Sequence, residues 1–211
     1  MERIQNFLNS IHWYGHDSFM IKWERIIYID PWNLPKNLEK ADLILVTHPH
    51  YDHFSVEDIE KIKKQGTILV GPKDVISQYK GEKKEIAPDT EIEVMNVKIK
   101  GIPAYNINKK FHPKANNWVG YIITLDNITL YHTGDTDFIP EMKKIEKIDI
   151  AFFPVGGTYT MDALEAAEAC NAISPKIAIP MHWGSIIGNY DDVETFKKHC
   201  KSEIKVLKKE E

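Results

Sequence analysis

Short apolar runs bounded by turn-forming residues dominate the first half of the chain and predict β-strands. Residues 43–46 form a continuous apolar run, which is the pattern of a strand buried on both faces. Residues 67–70 repeat that pattern, and residues 18–21 and 25–29 are predicted to flank a tight turn. The first half is therefore expected to contribute one set of strands.

One helix is predicted between these strands. Ser55 and Asp58 have the three-residue spacing of an N-terminal capping box. Apolar residues recur on one face from residue 56 to about residue 64, and Gly66 stands where a helix is expected to stop.

The second half repeats this alternation of strands and helices. Hairpins are predicted at residues 91–102 and 119–132, with turns at 95–96 and 126–127. The remaining predictions are a strand at 148–155, a helix opened by Asp162 and stopped at 174–175, a strand at 176–180, a last helix from about 191 through Leu207, and a charged tail, 205–211, that frays from it. Because strands come in two batches, each followed by helices, we predict an α/β (α+β) fold of two packed sheets with helices outside.

Length and charge narrow the classes of protein. The chain has 211 residues, which suits one domain spanning 1–211, and its formal net charge is −4. Such a balance disfavours non-specific nucleic-acid binding, which depends on basic residues. No apolar run reaches the roughly 18 residues of a membrane span. No signal peptide is evident, so a cytoplasmic location is expected. Cys170 and Cys200 are the only cysteines, which excludes a disulfide scaffold and a Cys-rich zinc site.

Histidines carry the strongest functional signal. His48, His50, Asp52 and His53 fall within six residues, between the predicted strand at 43–46 and the helix that follows. A strand-to-helix loop is a usual place for a site on an open sheet. Imidazole and carboxylate ligands suit zinc, iron or manganese. Since residues two apart in an extended segment point the same way, the cluster is suited to two metals in one pocket.

The cluster resembles the HxHxDH signature of the metallo-β-lactamase superfamily. Four more motifs resemble the subgroup that contains the ascorbate-6-phosphate lactonase and uncharacterised metal-dependent hydrolases: residues 13–18 with 29–32, residues 131–136, residues 154–162 and residues 180–184. They occur in family order across residues 12–184. The resemblance implies a four-layer αββα sandwich with a dinuclear site.

The resemblance also implies a ligand set. His48 and His50 correspond to ligands of a first metal, and Asp52, His53 and His182 to ligands of a second. Asp135 corresponds to the carboxylate that bridges the two ions.

One position departs from the family pattern. Where the subgroup carries a first-metal histidine, this chain has Asn106, in the segment Pro103-Ala104-Tyr105-Asn106. We expect His112, six residues later, to supply the missing nitrogen. The alternatives are ligation by Asn106 or a substrate-contacting role for His112. Asp30 either orients a ligand histidine or simply forms a turn before Pro31, and His16 is expected near the pocket rim or behind the ligands.

This ligand set indicates a metal-dependent hydrolase. The expected cofactors are two divalent ions, zinc first, with manganese or iron as alternatives. A bound ion lowers the pKa of water to about 7, so a metal-bound hydroxide is expected to attack a small ester, lactone or phosphodiester. Asp52 and Asp135 are the carboxylates assigned to catalysis. His16 is a weak candidate for protonating the leaving group.

The expected partner is a small-molecule substrate, with no nucleic acid and no membrane span, and a homo-oligomer is compatible with the sequence. Lys109, Lys110 and Lys114 surround His112 and offer a place for an anionic group, or they merely solvate a loop. The competing functions are a nuclease of the same superfamily, a di-iron oxidoreductase, and a non-catalytic metal-binding module.

Overall fold

A computed structural model describes residues 2–211 of the chain, which group into two compact units. The first unit consists of the residues up to 86 together with 207–211, and the second of residues 87–206. Within residues 2–211, no helix is both long enough and apolar enough to cross a membrane.

The first unit contains a six-stranded sheet in the order β1 to β6. Its strands are β1 (Ile11–Gly15), β2 (Ser18–Lys22), β3 (Ile26–Ile29), β4 (Leu43–Leu45), β5 (Ile68–Gly71) and β6 (Lys83–Glu85), and its helices are α1 (Glu2–Leu8), α2 (Val56–Ile62) and α3 (Lys73–Gln78). The first three strands are antiparallel, and β3 to β6 are parallel. Parallel pairing of β3 with β4 brings their carboxyl ends to one edge of the sheet.

The predicted start of α2 is confirmed, and its end is two residues short of the prediction. The Ser55 side chain accepts a hydrogen bond from the Asp58 N–H at 3.2 Å. The Asp58 carboxylate accepts from the backbone N–H groups of Asn33 and Leu34, at 2.9 and 3.1 Å. It therefore ties the helix to the loop after β3. The helix ends at Ile62, and Gly66 lies in the following turn with a φ of 83°.

The second unit contains a seven-stranded sheet in the order β13-β12-β11-β10-β9-β8-β7. Its strands are β7 (Glu91–Val94), β8 (Val97–Pro103), β9 (Val119–Leu125), β10 (Ile128–His132), β11 (Ile150–Pro154), β12 (Ile177–Met181) and β13 (Glu203–Ile204), and its α-helices are α4 (Ala163–Ile173) and α5 (Tyr190–His199). Both predicted hairpins are confirmed, with positive φ at all four turn residues, 95–96 and 126–127.

The prediction for the last helix is wrong at its end. The helix α5 begins earlier, at an Asn189–Asp192 capping box, and ends at His199 because Cys200 adopts an extended conformation. Cys200, Ile204 and Leu207 therefore lie outside the helix, and Phe196 is its last buried apolar residue. The tail is not a frayed helix: it follows β13 at residues 203–204, the Lys205 N–H donates to the Ala178 carbonyl at 2.9 Å, and the Glu210 N–H donates to the Trp13 carbonyl at 2.8 Å. These backbone pairings replace the helical hydrogen bonds that the charge pattern suggested.

The two cysteines are paired. Cys170 of α4 and Cys200, which follows α5, form a disulfide with a Cα–Cα distance of 6.2 Å. The exclusion of a disulfide scaffold does not extend to this bond, because a scaffold consists of several bridges and this is one. This unit has an apolar core, which includes Phe153, Met161 and Phe196. The disulfide adds one covalent link to that core.

Candidate metal centre

In the first unit, Asp30 and Thr47 lie at the carboxyl ends of β3 and β4. The Asp30 carboxylate accepts hydrogen bonds from the Thr47 N–H at 2.8 Å and from its hydroxyl at 2.7 Å. Asp30 is fully buried and has a φ of 44°, a conformation that Asp tolerates better than most residues. Thr47 thus fixes the Asp30 carboxylate. Asp30 in turn fixes the start of the loop at residues 48–53, here called the histidine loop.

Asp30 sets the ring orientation of two predicted ligands. Its Oδ2 atom lies 2.9 Å from Nδ1 of His53. The Thr47 hydroxyl, whose hydrogen goes to Asp30, also lies 2.9 Å from Nδ1 of His48 and therefore accepts from that ring. Both histidines then carry hydrogen on Nδ1, and in a neutral ring this leaves a lone pair on Nε2, which is the state in which imidazole binds a metal. The sequence allowed two roles for Asp30, orienting a histidine or forming a turn. These contacts support the orienting role.

The loop after β4 is a tight turn that gathers the remaining ligands. The N–H groups of His53 and Phe54 both donate to the His50 carbonyl, at 3.0 and 2.8 Å. Nε2 of His48 lies 2.9 Å from Nδ1 of His50. The structure therefore brings this predicted ligand pair together within the first unit.

Two buried residues from the loop between β1 and β2 join this group. Nε2 of His16 lies 3.2 Å from Oδ2 of Asp52, and His16 is fully buried, so it does not lie at a rim. Asp17, also fully buried, offers an oxygen within 4.8 Å of ligand atoms of both Asp30 and His53. Asp17 is a candidate functional residue that the sequence motifs alone do not indicate.

In the second unit, two histidines converge on one carboxylate. Asp135 follows β10 and is 4% exposed. Its Oδ2 atom lies 3.1 Å from Nε2 of His112 and 3.3 Å from Nε2 of His182. His182 follows β12 directly, and β10, β11 and β12 are parallel, so both residues lie at the carboxyl edge of this sheet. Residues 112, 135 and 182 are thus neighbours in space.

The structure places Asn106 beside His112. The Asn106 side chain accepts a hydrogen bond from the His112 N–H at 2.9 Å, and its amide nitrogen donates to Asp137. His112, in contrast, faces Asp135. His112, the residue expected to replace the missing histidine, therefore lies beside Asp135 within this unit, and its role as a metal ligand stays a prediction.

Two of the three lysines around His112 have carboxylate partners. Lys109 donates to Asp137 at 2.5 Å, and Lys114 to Glu141 at 2.8 Å. Lys110 is exposed. The hypothesis that all three lysines receive an anionic group is thus weakened, because two of them are paired with carboxylates of the segment that follows β10. His132, which follows Tyr131 at the end of β10, is fully buried and packs on Phe152.

The donor chemistry fits divalent metal ions. Imidazole nitrogens and carboxylate oxygens are the ligands of zinc, iron and manganese sites. Ligand histidines in such sites usually donate their other ring N–H to a carboxylate, and His53 does so to Asp30. Five of the predicted ligands are buried, each with at most 4% of its surface exposed: His48, His53, His112, Asp135 and His182.

Comparison with known proteins decides the family. The sequence pattern of the beta-lactamase superfamily domain matches residues 10–182, which includes residues of both units. The chain belongs to the metallo-β-lactamase superfamily.

Its relatives within the superfamily are named as hydrolases. A UPF0173 metal-dependent hydrolase of Pyrococcus furiosus is 33% identical, with 92% of each chain covered. Another, of Thermodesulfovibrio yellowstonii, is 36% identical over 94% of this chain and 88% of its own length. A crystal structure of a protein of Parabacteroides distasonis, named for the same activity, has a TM-score of 0.85 and 32% identity, covering 93% of this chain and 91% of that one. The predicted metallo-β-lactamase fold and the enzyme class, a metal-dependent hydrolase, are both confirmed. The single-domain prediction stays a prediction.

Proposed function

We propose that this metallo-β-lactamase family member holds two divalent ions and hydrolyses a small ester, lactone or phosphodiester. In this proposal His48, His50 and His112 bind the first ion, Asp52, His53 and His182 bind the second, and Asp135 is shared. The convergence of His112 and His182 on one oxygen of Asp135 supports it most strongly. A carboxylate facing two imidazoles is suited to a position between two cations.

Bound ions would lower the pKa of water and polarise the oxygen of the scissile bond. The chain's own residues arrange the ligands for that task. Asp30 holds His53 directly and His48 through Thr47. Residues held in this way lose less conformational entropy when they bind, which favours a site that is formed in advance.

His16 fits a positioning role better than proton transfer to a leaving group. It is fully buried, and its Nε2 atom lies 3.2 Å from Asp52. This close contact with His16 restricts which way the Asp52 carboxylate points. We therefore propose that Asp52 is held between this contact and its ion, and that the leaving group takes its proton from water.

Metal counting and a substrate panel test the proposal. Elemental analysis of the purified protein is expected to find about two ions per chain, zinc first, with manganese and iron measured alongside. Hydrolysis of aryl esters, lactones and bis(aryl) phosphodiesters should disappear with a chelator and return when zinc is added. The control is the same panel with the exposed-histidine variant His199→Asn.

Two outcomes would contradict the proposal. A protein that binds two ions and leaves the whole panel intact favours a non-catalytic metal-binding module. Cleavage of RNA or DNA oligonucleotides without cleavage of small substrates favours a nuclease. The anionic character of the substrate, the cytoplasmic location and the homo-oligomer stay predictions.

A further inference from the structure

We propose that Asn106, held by Asp137 and Lys109, is a positioning residue that fixes the His112 ring with its hydrogen on Nδ1 and its Nε2 lone pair towards Asp135. This inference rests on the proposed role of His112 as a metal ligand. It assigns a function to the position where the family pattern has a ligand and this chain has an amide.

The orientation of the Asn106 amide is determined by its neighbours. Its nitrogen lies 2.9 Å from Oδ1 of Asp137 and 2.9 Å from the Tyr159 carbonyl, and both of these atoms only accept hydrogen bonds at neutral pH. On the other side, its oxygen lies 2.9 Å from the backbone N–H of His112, which only donates. Exchanging the amide's N and O atoms would break all three hydrogen bonds, so the oxygen must face His112.

This orientation selects the tautomer of His112. The Asn106 oxygen lies 3.2 Å from Nδ1 of the ring, and an amide oxygen has no hydrogen to give. Nδ1 must therefore carry the hydrogen. In a neutral ring, that leaves the lone pair on Nε2, the atom 3.1 Å from Oδ2 of Asp135.

Asp137 and Lys109 hold Asn106 in this position. Asp137 is 3% exposed and accepts from the Ile107 N–H at 2.8 Å as well as from Lys109 at 2.5 Å. Lys109 also donates to the Thr160 carbonyl at 2.9 Å. A buried carboxylate is stable when it is paired in this manner, so Lys109 stabilises the conformation of the loop by pairing with Asp137.

The same loop explains how a histidine six residues further on can replace the family's ligand. The Asn106 N–H donates to the His112 carbonyl at 2.8 Å, which closes residues 106–112 on themselves. Asn106 and His112, the two ends of this loop, therefore lie side by side. Asn106 supports the ring that does the binding, as outer carboxylates and carbonyls support ligand histidines elsewhere.

Three variants of the zinc-loaded protein test the assignment. Asn106→Leu removes the acceptor at similar volume, Asn106→Asp retains an acceptor oxygen, and Asn108→Leu makes the same change at an exposed position of the loop. Chelator competition should show that Asn106→Leu weakens one zinc about 10–100-fold. Asn106→Asp should recover most of that loss, and Asn108→Leu should match the wild type.

A spectroscopic readout separates positioning from general stability. Ring ¹⁵N shifts of His112 in the zinc-loaded wild type should show a protonated Nδ1 and a zinc-bound Nε2, and Asn106→Leu should lose that single state. The wild-type measurement stands even if Asn106→Leu fails to fold. Zinc on Nδ1, or hydrogen on Nε2, would overturn the inference.

The His112→Ala variant distinguishes this failure from failure of the proposed function. Full retention of both ions in His112→Ala removes His112 from the ligand set and contradicts the proposed site. Loss of one ion in His112→Ala, together with wild-type zinc affinity in Asn106→Leu, leaves the proposed site intact and rejects the role of Asn106.

Discussion

The Asp30 carboxylate and the His53 ring, which are 23 residues apart in sequence, lie 2.9 Å apart at the edge of the first sheet. The contact depends on the parallel pairing of β3 with β4, because Asp30 follows one strand and the histidine loop follows the other. A buried carboxylate at this place orients one ring directly and a second through Thr47.

Replacing Asp30 by Asn should weaken metal binding. Asn tolerates the positive φ of 44°, so the change removes charge with little backbone strain. We expect metal affinity to fall about 10–100-fold, measured as the metal retained against a graded series of chelators. Asp89→Asn, at an exposed position with a φ of 62°, is the matched control. Equal metal retention in both variants would refute the orienting role of Asp30.

His182→Asn should remove about one of two bound ions. The side chain becomes too short to hold the position next to Asp135, while Asn still accommodates the φ of 58° at this residue. Catalytic efficiency should drop by more than the roughly 10–100-fold that loss of an outer-shell partner costs. His199→Asn, the same change at the exposed end of α5, should keep both ions. The decisive measurement is the metal-to-protein ratio of the two variants side by side.

Gly156→Ala should disturb metal binding through the backbone. A Cβ atom at this position would lie 2.4 Å from the His182 carbonyl oxygen, so the segment that carries His182 must shift. We expect reduced metal retention together with a lower melting temperature. Gly66→Ala is the control, since its Cβ meets nothing within 4 Å and its cost comes from a φ of 83°. It should lower stability by about 1–2 kcal/mol and leave metal content unchanged.

Asp58 should make stability depend on pH in the acid range. Burial raises the pKa of Asp58, but hydrogen bonds from Lys61, Ser55 and the backbone N–H groups of residues 33 and 34 outweigh it and hold that pKa below its usual value. A depressed pKa means that the carboxylate stabilises the fold above its unfolded pKa of about 3.9, and that this stabilisation is lost as the pH falls through the folded pKa.

The variant Asp58→Asn should therefore cost roughly 1.5–3 kcal/mol of unfolding free energy at pH 7. The difference from wild type should shrink below about pH 4. Denaturant titrations at several pH values measure both quantities. Glu57→Gln, one residue earlier and 84% exposed, should show almost no difference at any pH. A constant gap between wild type and Asp58→Asn across the acid range would contradict the assignment.

Much of the fold could be predicted because the local signals agree with the final structure. The turns at 95–96 and 126–127 need positive φ, and Asn or Asp stands in each. The end of α5 could not be predicted this way. Its apolar spacing continues past Phe196, but the following residues pair with strands that are distant in sequence. Hydrophobic periodicity does not encode such partners.

The candidate site divides in the same manner. The cluster at residues 48–53 is local in sequence and was visible as a motif. The convergence of His112 on Asp135 depends on a loop closed by Asn106 and Asp137, contacts that span up to 31 residues. Asp17 was missed because its neighbours come from β3 and the histidine loop. Only the absence of the expected ligand at residue 106 signalled that another residue had to replace it.

The last five residues belong to the first unit, although the 120 residues before them form the second. The first unit is therefore discontinuous in sequence, because Glu210 bonds to Trp13 of β1. A fragment cut after residue 86 would lack these closing contacts. Anyone who wishes to study the halves separately should therefore graft residues 207–211 onto the first fragment by a short linker.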